Sequence, residues 1–195
     1  MKKLILLGGG GHCKSCIDVI EQEGKYKIIG ILDAKELIGQ KILGYEIIGT
    51  DADIGRLVKE GHSFLITIGQ IKTSGIRKKL FSLLNEYSTQ IATIISPRAY
   101  VSKHADVGRG TIIMHDALVN AAVTIGENCI INSKALVEHD AIIENFCHIS
   151  TSAVVNGGAV IKEGSFLGSN AVSKEYVETS SDDFIKAGTV FKGNS

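Results

Sequence analysis

Stepping by six residues from Val101 meets an aliphatic side chain twelve times running: Val101, Val107, Ile113, Val119, Ile125, Ile131, Val137, Ile143, Ile149, Val155, Ile161 and Leu167. A second register sits four positions further on. It holds Ala105, Thr111, Ala117, Val123, Cys129, Ala135, Ala141, Cys147, Ala153, Ala159, Ser165 and Ala171, all small or modest in size. A period of six suits neither the 3.6-residue helix nor the two-residue alternation of an ordinary strand. It suits a solenoid whose short flat faces meet at regular corners. The aliphatic residue fills each coil, and the small one points inward where little room remains. Stacked coils then pair their strands in parallel and stack like residues in ladders. Gly, Asn and Asp recur at the corners, as in Gly126-Glu127-Asn128 and Gly157-Gly158. The register is expected to break after Val172, where 173–184 is polar and 187–193 reads as a closing segment.

The residues before the repeat alternate strand and helix signals. A short apolar strand is expected over 3–7, then four glycines, then a helix from about His12 to Glu23 stopped by Gly24. Further strands are expected over 28–32, ending at Asp33, over 42–48 at an edge, over 64–68 ending in Gly69, and over 91–95. Short helices are expected over 51–59 and 74–85, the second with Ile76, Leu80, Leu83, Leu84 and Tyr87 on one side. This order argues for a parallel sheet with right-handed crossovers. Two domains follow: residues 1–95, a Rossmann-like α/β half-domain, and residues 96–195, the solenoid. Gly8, Gly10, Gly11 and His12 stand between the first strand and the first helix, where backbone N–H groups and the helix N-terminus favour a phosphate. Asp33 follows the second strand, where a carboxylate meets a ribose hydroxyl in dinucleotide folds. An NAD enzyme is disfavoured, because Cys13 stands where Gly-x-Gly-x-x-Gly needs its third glycine, and a half-domain suits one nucleotide better than two.

Composition narrows the classes. Lys plus Arg and Asp plus Glu are 21 each, so no global field draws nucleic acid or an anionic membrane. The apolar run after Lys2 and Lys3 is too short for a signal peptide, and no stretch is long enough to span a bilayer. A cytoplasmic protein is the expectation. Cys13, Cys16, Ile17 and Ile20 fall on one helical face, so Cys13-x-x-Cys16 reads as core rather than as a redox or zinc motif. No metal site is expected.

The hexads resemble the left-handed parallel β-helix of hexapeptide acyltransferases. A glycine-rich-His N-terminal domain fused to such a β-helix resembles a bacterial hexapeptide-repeat sugar acyltransferase family. That family includes nucleotide 4-amino-sugar N-acetyltransferases and sialic acid O-acetyltransferases. The marks are Gly8-Gly9-Gly10-Gly11-His12, Asp33, Gly44-Tyr45-Glu46 leading to Gly49-Thr50, Ile68-Gly69, Ile76-Arg77-Lys78, Asn132, Glu138-His139-Asp140 and Phe146-Cys147-His148. A Gly-x-Pro-Ala-Lys ending found in relatives is missing, since the one proline is Pro97. The resemblance implies that three hexads make one coil, hence four coils. It implies nucleotide contacts at Gly8, Gly10, Gly11, His12 and Asp33, with Gly69 and Asn132 also toward the substrate. It implies His139 as catalytic base, Asp140 as its acidic neighbour and His148 as a second active-site histidine. Acetyl-CoA would lie between adjacent β-helices of a homotrimer, with Gly157 offering its N–H to the thioester oxygen and Gly168 a further CoA contact.

The chemistry is coherent with those residues. Acyl transfer from a thioester needs a base for the nucleophile's proton, a donor for the oxyanion and an orienting site. Imidazole serves the first near neutral pH. The expected reaction is N-acetylation of the 4-amine of a UDP- or dTDP-linked 4-amino-4,6-dideoxy-sugar by direct transfer in a ternary complex. O-acetylation of a sialic-acid-like sugar is the alternative, and a non-catalytic sugar-nucleotide-binding protein is another.

Overall fold

The structure is a computed structural model and describes residues 1–193. The chain divides into two compact units, residues 1–69 with 77–92, and residues 70–76 with those from 93 onward.

The first unit holds β1 (Lys2–Leu7), α1 (Gly11–Glu23), β2 (Tyr26–Leu32), β3 (Lys41–Ile42), β4 (Tyr45–Gly49), α2 (Ile54–Lys59), β5 (Ser63–Ile66) and, from Arg77 on, α3 (Gly75–Glu86). The sheet order is β3-β4-β2-β1-β5. All neighbours run parallel except β3 against β4. Leu4, Ile5, Leu6 and Leu7 of β1 are buried, as a central parallel strand requires. Helix α1 buries Cys13, Cys16, Ile17, Val19 and Ile20. It stops at Gly24, whose φ of 69° lets its N–H reach the Ile20 carbonyl.

Three details of this unit differ from the sequence expectation. The edge strand over 42–48 is instead a small hairpin, because Leu43 and Gly44 both take positive φ and turn the chain between β3 and β4. The strand over 91–95 is split. Ile91 bridges Phe64, while Ile94–Ile95 pairs with Ile112–Ile113 in the second unit. Helix α3 buries Arg77, Leu80, Phe81 and Leu84, leaving Ile76 and Tyr87 exposed. The cause is Arg77, only 1% exposed. Its Nη1 donates to the carbonyls of Ile66 (3.2 Å) and Ile68 (2.6 Å) just beyond β5. A buried guanidinium is tolerated only when so bonded, and meeting those carbonyls sets the helix rotation.

The second unit is a left-handed parallel β-helix of two-residue strands in three sheets, holding six, four and six strands. Each strand pairs with the one eighteen residues on, as in Val101↔Val119↔Val137↔Val155. The aliphatic and small registers form one continuous core from Ile113 to Ile185. Every sixth residue from Gly110 to Gly188 has positive φ, and ten of these corners are not glycine. Left-handed backbone costs an L-residue about 1–2 kcal/mol. A recurring bond offsets it: from Ala122 onward each corner amide donates to a carbonyl one coil back, as Asp140 does to Ala121 (3.2 Å) and Gly158 to His139 (3.0 Å).

The solenoid is longer than four coils. It begins at Ile94–Ile95 and runs to Val190–Phe191. The expected break after Val172 does not occur. The register continues through buried Ser173, buried Thr179, Ile185 and Phe191. Ser173 Oγ accepts from the Asn156 amide (3.0 Å) and Thr179 Oγ1 from the Lys162 amide (2.8 Å). Polar side chains are admitted inside because backbone donors meet them.

Ala153 is fully buried between Ala135 and Ala171 in the small register. Ala153→Leu is expected to destabilise the protein by about 1–3 kcal/mol through overpacking. The check is a lowered urea midpoint at unchanged m-value.

Candidate active site

The corner between strands Leu136–Val137 and Ile142–Ile143 carries His139 and Asp140. Asp140 takes the left-handed conformation, φ 59°, which turns its carboxylate back to its neighbour. His139 Nδ1 lies 2.7 Å from Asp140 Oδ2, so the carboxylate accepts the Nδ1 proton and leaves Nε2 as the acceptor. The imidazole is 56% exposed, as the outward corner demands. One coil on lies Gly157. A Cβ there would stand 2.9 Å from both Cε1 and Nε2 of the imidazole. Glycine therefore lets the ring rest on bare backbone. The flanking amides are bonded, Asn156 to Ser173 Oγ and Gly158 to the His139 carbonyl, whereas the Gly157 amide donates to no acceptor among the described residues. A tautomer-locked imidazole, its carboxylate and an available N–H thus share one corner.

His148 is not on that corner. It lies on another face of the prism, in the strand His148–Ile149, and is 6% exposed. Its Nδ1 donates to the Gln70 carbonyl (2.6 Å), and its Nε2 accepts from Asn132 Nδ2 (3.1 Å). The ring also meets Phe166 edge-on at 5.1 Å. With both nitrogens occupied, His148 is a fixed neutral ring here, and moving a proton would break a buried bond. Gln70 completes the cluster: 2% exposed, its Nε2 donates to the carbonyls of Phe146 (2.8 Å) and Gly164 (3.0 Å). Gln70 carried no signal in the sequence beyond following Ile68-Gly69. Gly168, expected as a CoA contact, is held tightly in the solenoid. Its N–H goes to the Ile185 carbonyl and its carbonyl accepts from Ala171, while a Cβ would stand 2.5 Å from the Ala187 nitrogen. It is a packing glycine, required because coils approach so closely there.

In the α/β unit the glycine loop is anchored at one end and open at the other. Gly8 has φ 100° and sits against Ile68. Asp33 Oδ2 accepts the Gly9 N–H (2.5 Å) and its Oδ1 the Ala34 N–H (2.7 Å). Asp33 therefore first holds the loop's shape, and only its remaining lone pairs face outward. Thr67, missed by the sequence reading, donates to the Gly8 carbonyl (2.6 Å). Gly10 and Gly11 are exposed with open space around them, at the start of α1, where no side chain caps the helix. Gly69 lies against His12, its Cβ position 3.3 Å from that of the histidine. So Gly8, Gly10, Gly11, His12, Asp33 and Gly69 do converge on one helix N-terminus. Among the described residues no cluster of three or more His, Cys, Asp or Glu fits a metal ion. His62 is buried and pairs with Glu60 (3.2 Å).

Residues 3–84 match the family model described as the PglD N-terminal domain. Over 116 residues the chain is 33% identical to the UDP-N-acetylbacillosamine N-acetyltransferase of Bacillus subtilis (strain 168). That alignment covers 58% of this chain and 52% of the relative, so the chain spans about half the length of that curated protein. Among solved structures, the acetyltransferase domain of PglB from Neisseria gonorrhoeae FA1090 superposes with a TM-score of 0.92 at 28% identity, covering 100% of this chain and 93% of that one. A histidine-to-asparagine variant of perosamine N-acetyltransferase from Caulobacter crescentus, solved with CoA and GDP-perosamine, matches this chain with a TM-score of 0.92, 27% identity and coverage of 100% and 90%.

The Cys13-x-x-Cys16 pair is buried in α1 with both thiols free. Burial pushes Cys13 from 9.0 to about 11, partly offset by a hydrogen bond with Thr67 and helped least by the nearby Asp33 carboxylate, and burial likewise raises Cys16. A raised thiol favours the folded state below its unfolded value, and that contribution fades as pH climbs through the folded one. Stability is therefore expected to fall between pH 9 and about 11, and iodoacetamide at pH 8 to label Cys13 only after urea unfolding. Rapid labelling of the native protein would contradict this burial.

Proposed function

We propose that the protein transfers the acetyl group of acetyl-CoA to the 4-amine of a UDP- or dTDP-linked 4-amino-4,6-dideoxy-sugar. The observation that carries this reading is the His139 corner: an imidazole with Nδ1 held by Asp140 at 2.7 Å, lying on Gly157. The relatives act on or are solved with sugars of this kind, one UDP-linked by name and one GDP-linked. The base of the nucleotide therefore varies among them.

In this mechanism the glycine loop of the α/β unit receives the nucleotide's phosphates at Gly10, Gly11 and His12. His139 Nε2 takes the proton from the sugar's amine as nitrogen bonds the thioester carbon. Asp140 holds the tautomer and stabilises the imidazolium that forms. The Gly157 N–H donates to the oxyanion, an interaction for which one donor is worth about 2.7–4 kcal/mol. Collapse of the intermediate expels the CoA thiolate, which takes up the proton. No acyl-enzyme is needed, and the four buried cysteines offer no nucleophile for one. His148 and Asn132 serve by holding the Gln70 segment on the solenoid. Three copies associating along their β-helices would place acetyl-CoA between neighbours, and both substrates imply a cytoplasmic setting.

The test is thiol release from acetyl-CoA with a panel of nucleotide-linked 4-amino-sugars, alongside free and CMP-linked sialic acid. Turnover is expected only with the amino-sugars; turnover only with sialic acids would transfer the assignment to O-acetylation. His139→Ala is expected to lower kcat by about 10²–10⁴ while nucleotide-sugar binding persists. Unchanged turnover would remove His139 as base. Sedimentation at micromolar concentration is expected to give a trimer, and a monomer would refute the shared cleft.

A further inference from the structure

The corner bearing His139 continues along the solenoid. One coil on it holds Gly157 and Gly158, and the next coil holds Glu175 and Tyr176, linked by Gly158 N–H to the His139 carbonyl (3.0 Å) and Tyr176 N–H to the Gly157 carbonyl (3.1 Å). The paired glycines leave bare backbone between two rings. The imidazole rests against Gly157, and Cδ1 and Cε1 of Tyr176 fill the space a side chain on Gly158 would take. Tyr176 is nonetheless 78% exposed. It is also held at φ 52°, a conformation that a bulky residue adopts rarely. The other aromatic corner, Phe146, is tied in by Gln70, which bonds its carbonyl. Among the described residues Tyr176 has no comparable bond beyond its corner amide. The left-handed turn belongs to the repeat and is shared by every corner; what sets Tyr176 apart is an exposed aromatic ring lying on bare glycine backbone beside the His139 corner, and that points to a ligand contact.

We propose that Tyr176 is a binding residue for the acyl donor, its ring walling a glycine-floored saddle that seats the pantetheine arm of acetyl-CoA. This rests on the transferase reading above. With the thioester oxygen on the Gly157 N–H, the imidazole and the acceptor occupy the His139 side. The sulfur-bound arm leaves over Gly158, where the ring of Tyr176 stands nearest. The arm's methylenes and planar amides are suited to an aromatic face, which gains by covering exposed apolar surface. The glycines are needed because any Cβ at Gly157 or Gly158 would fill the saddle floor.

The experiment compares wild type, Tyr176→Gly and Tyr176→Phe by calorimetric titration with CoA, by steady-state kinetics and by thermal melting. Tyr176→Gly is expected to weaken CoA binding and raise KM for acetyl-CoA roughly tenfold, the effect falling on that KM and not on KM for the nucleotide sugar. Its melting temperature is expected not to fall, because glycine relieves the left-handed strain. Tyr176→Phe is expected to keep CoA affinity within about twofold, since the ring face makes the contact. Unchanged CoA affinity in Tyr176→Gly, or an equal loss for both substrates, overturns the proposal. Wild-type CoA binding without any sugar acetylation overturns the function but leaves this contact standing. A wild type that binds no CoA overturns both.

Discussion

Everything in the second unit depends on the corner bond that stacks one coil on the next. Each corner residue is left-handed, and from Ala122 onward each donates its amide to a carbonyl one coil back. That bond is what makes nine non-glycine residues tolerate a conformation L-residues avoid. It also keeps the eighteen-residue pairing in register, so chemically unlike residues far apart in sequence are delivered to one column. Ala121, His139, Gly157 and Glu175 form such a column, with their left-handed neighbours beside them. The site is thus a product of the repeat rather than an insertion into it. Small residues on either side of His139 give the imidazole its room, and the left-handed turn at Asp140 aims the carboxylate that holds it.

The histidines divide by the same geometry. A histidine at a corner faces solvent and can exchange a proton, as His139 is placed to do. A histidine in a strand faces whatever covers that sheet, and His148 is covered by the 70–76 segment, which takes both ring nitrogens into a buried network through Gln70 and Asn132. Asp33 shows the parallel lesson in the α/β unit. A carboxylate placed to meet a nucleotide is already spending bonds on the loop that would hold the phosphates, accepting from Gly9 and Ala34.

Much of the architecture was legible from spacing because the solenoid has one rule, an inward aliphatic every six residues, and the rule is written in residue types. It failed where polar residues obey the rule. Ser173 and Thr179 point inward like their aliphatic counterparts, but only the coordinates show the Asn156 and Lys162 amides that satisfy them. Helix α3 failed for a related reason. Periodicity weighs hydrophobicity and so passed over Arg77, whose burial is licensed by two carbonyls contributed from β5's far end. The split at 91–95 was invisible because Ile91 and Ile94 have the same local preference and differ only in their partners, Phe64 and Ile112.

By itself the sequence determined the coil period, the interior fill, the glycine turn before α1 and the His139-Asp140 pair, because each is a local pattern of residue size, charge or backbone freedom. Only the tertiary structure decided which residues share a column. It set Gly157 under the imidazole, Tyr176 beyond Gly158, His148 against Gln70 and the next coil over Gly168. Those neighbours are brought together by stacking, and stacking distance has no trace in the local chain.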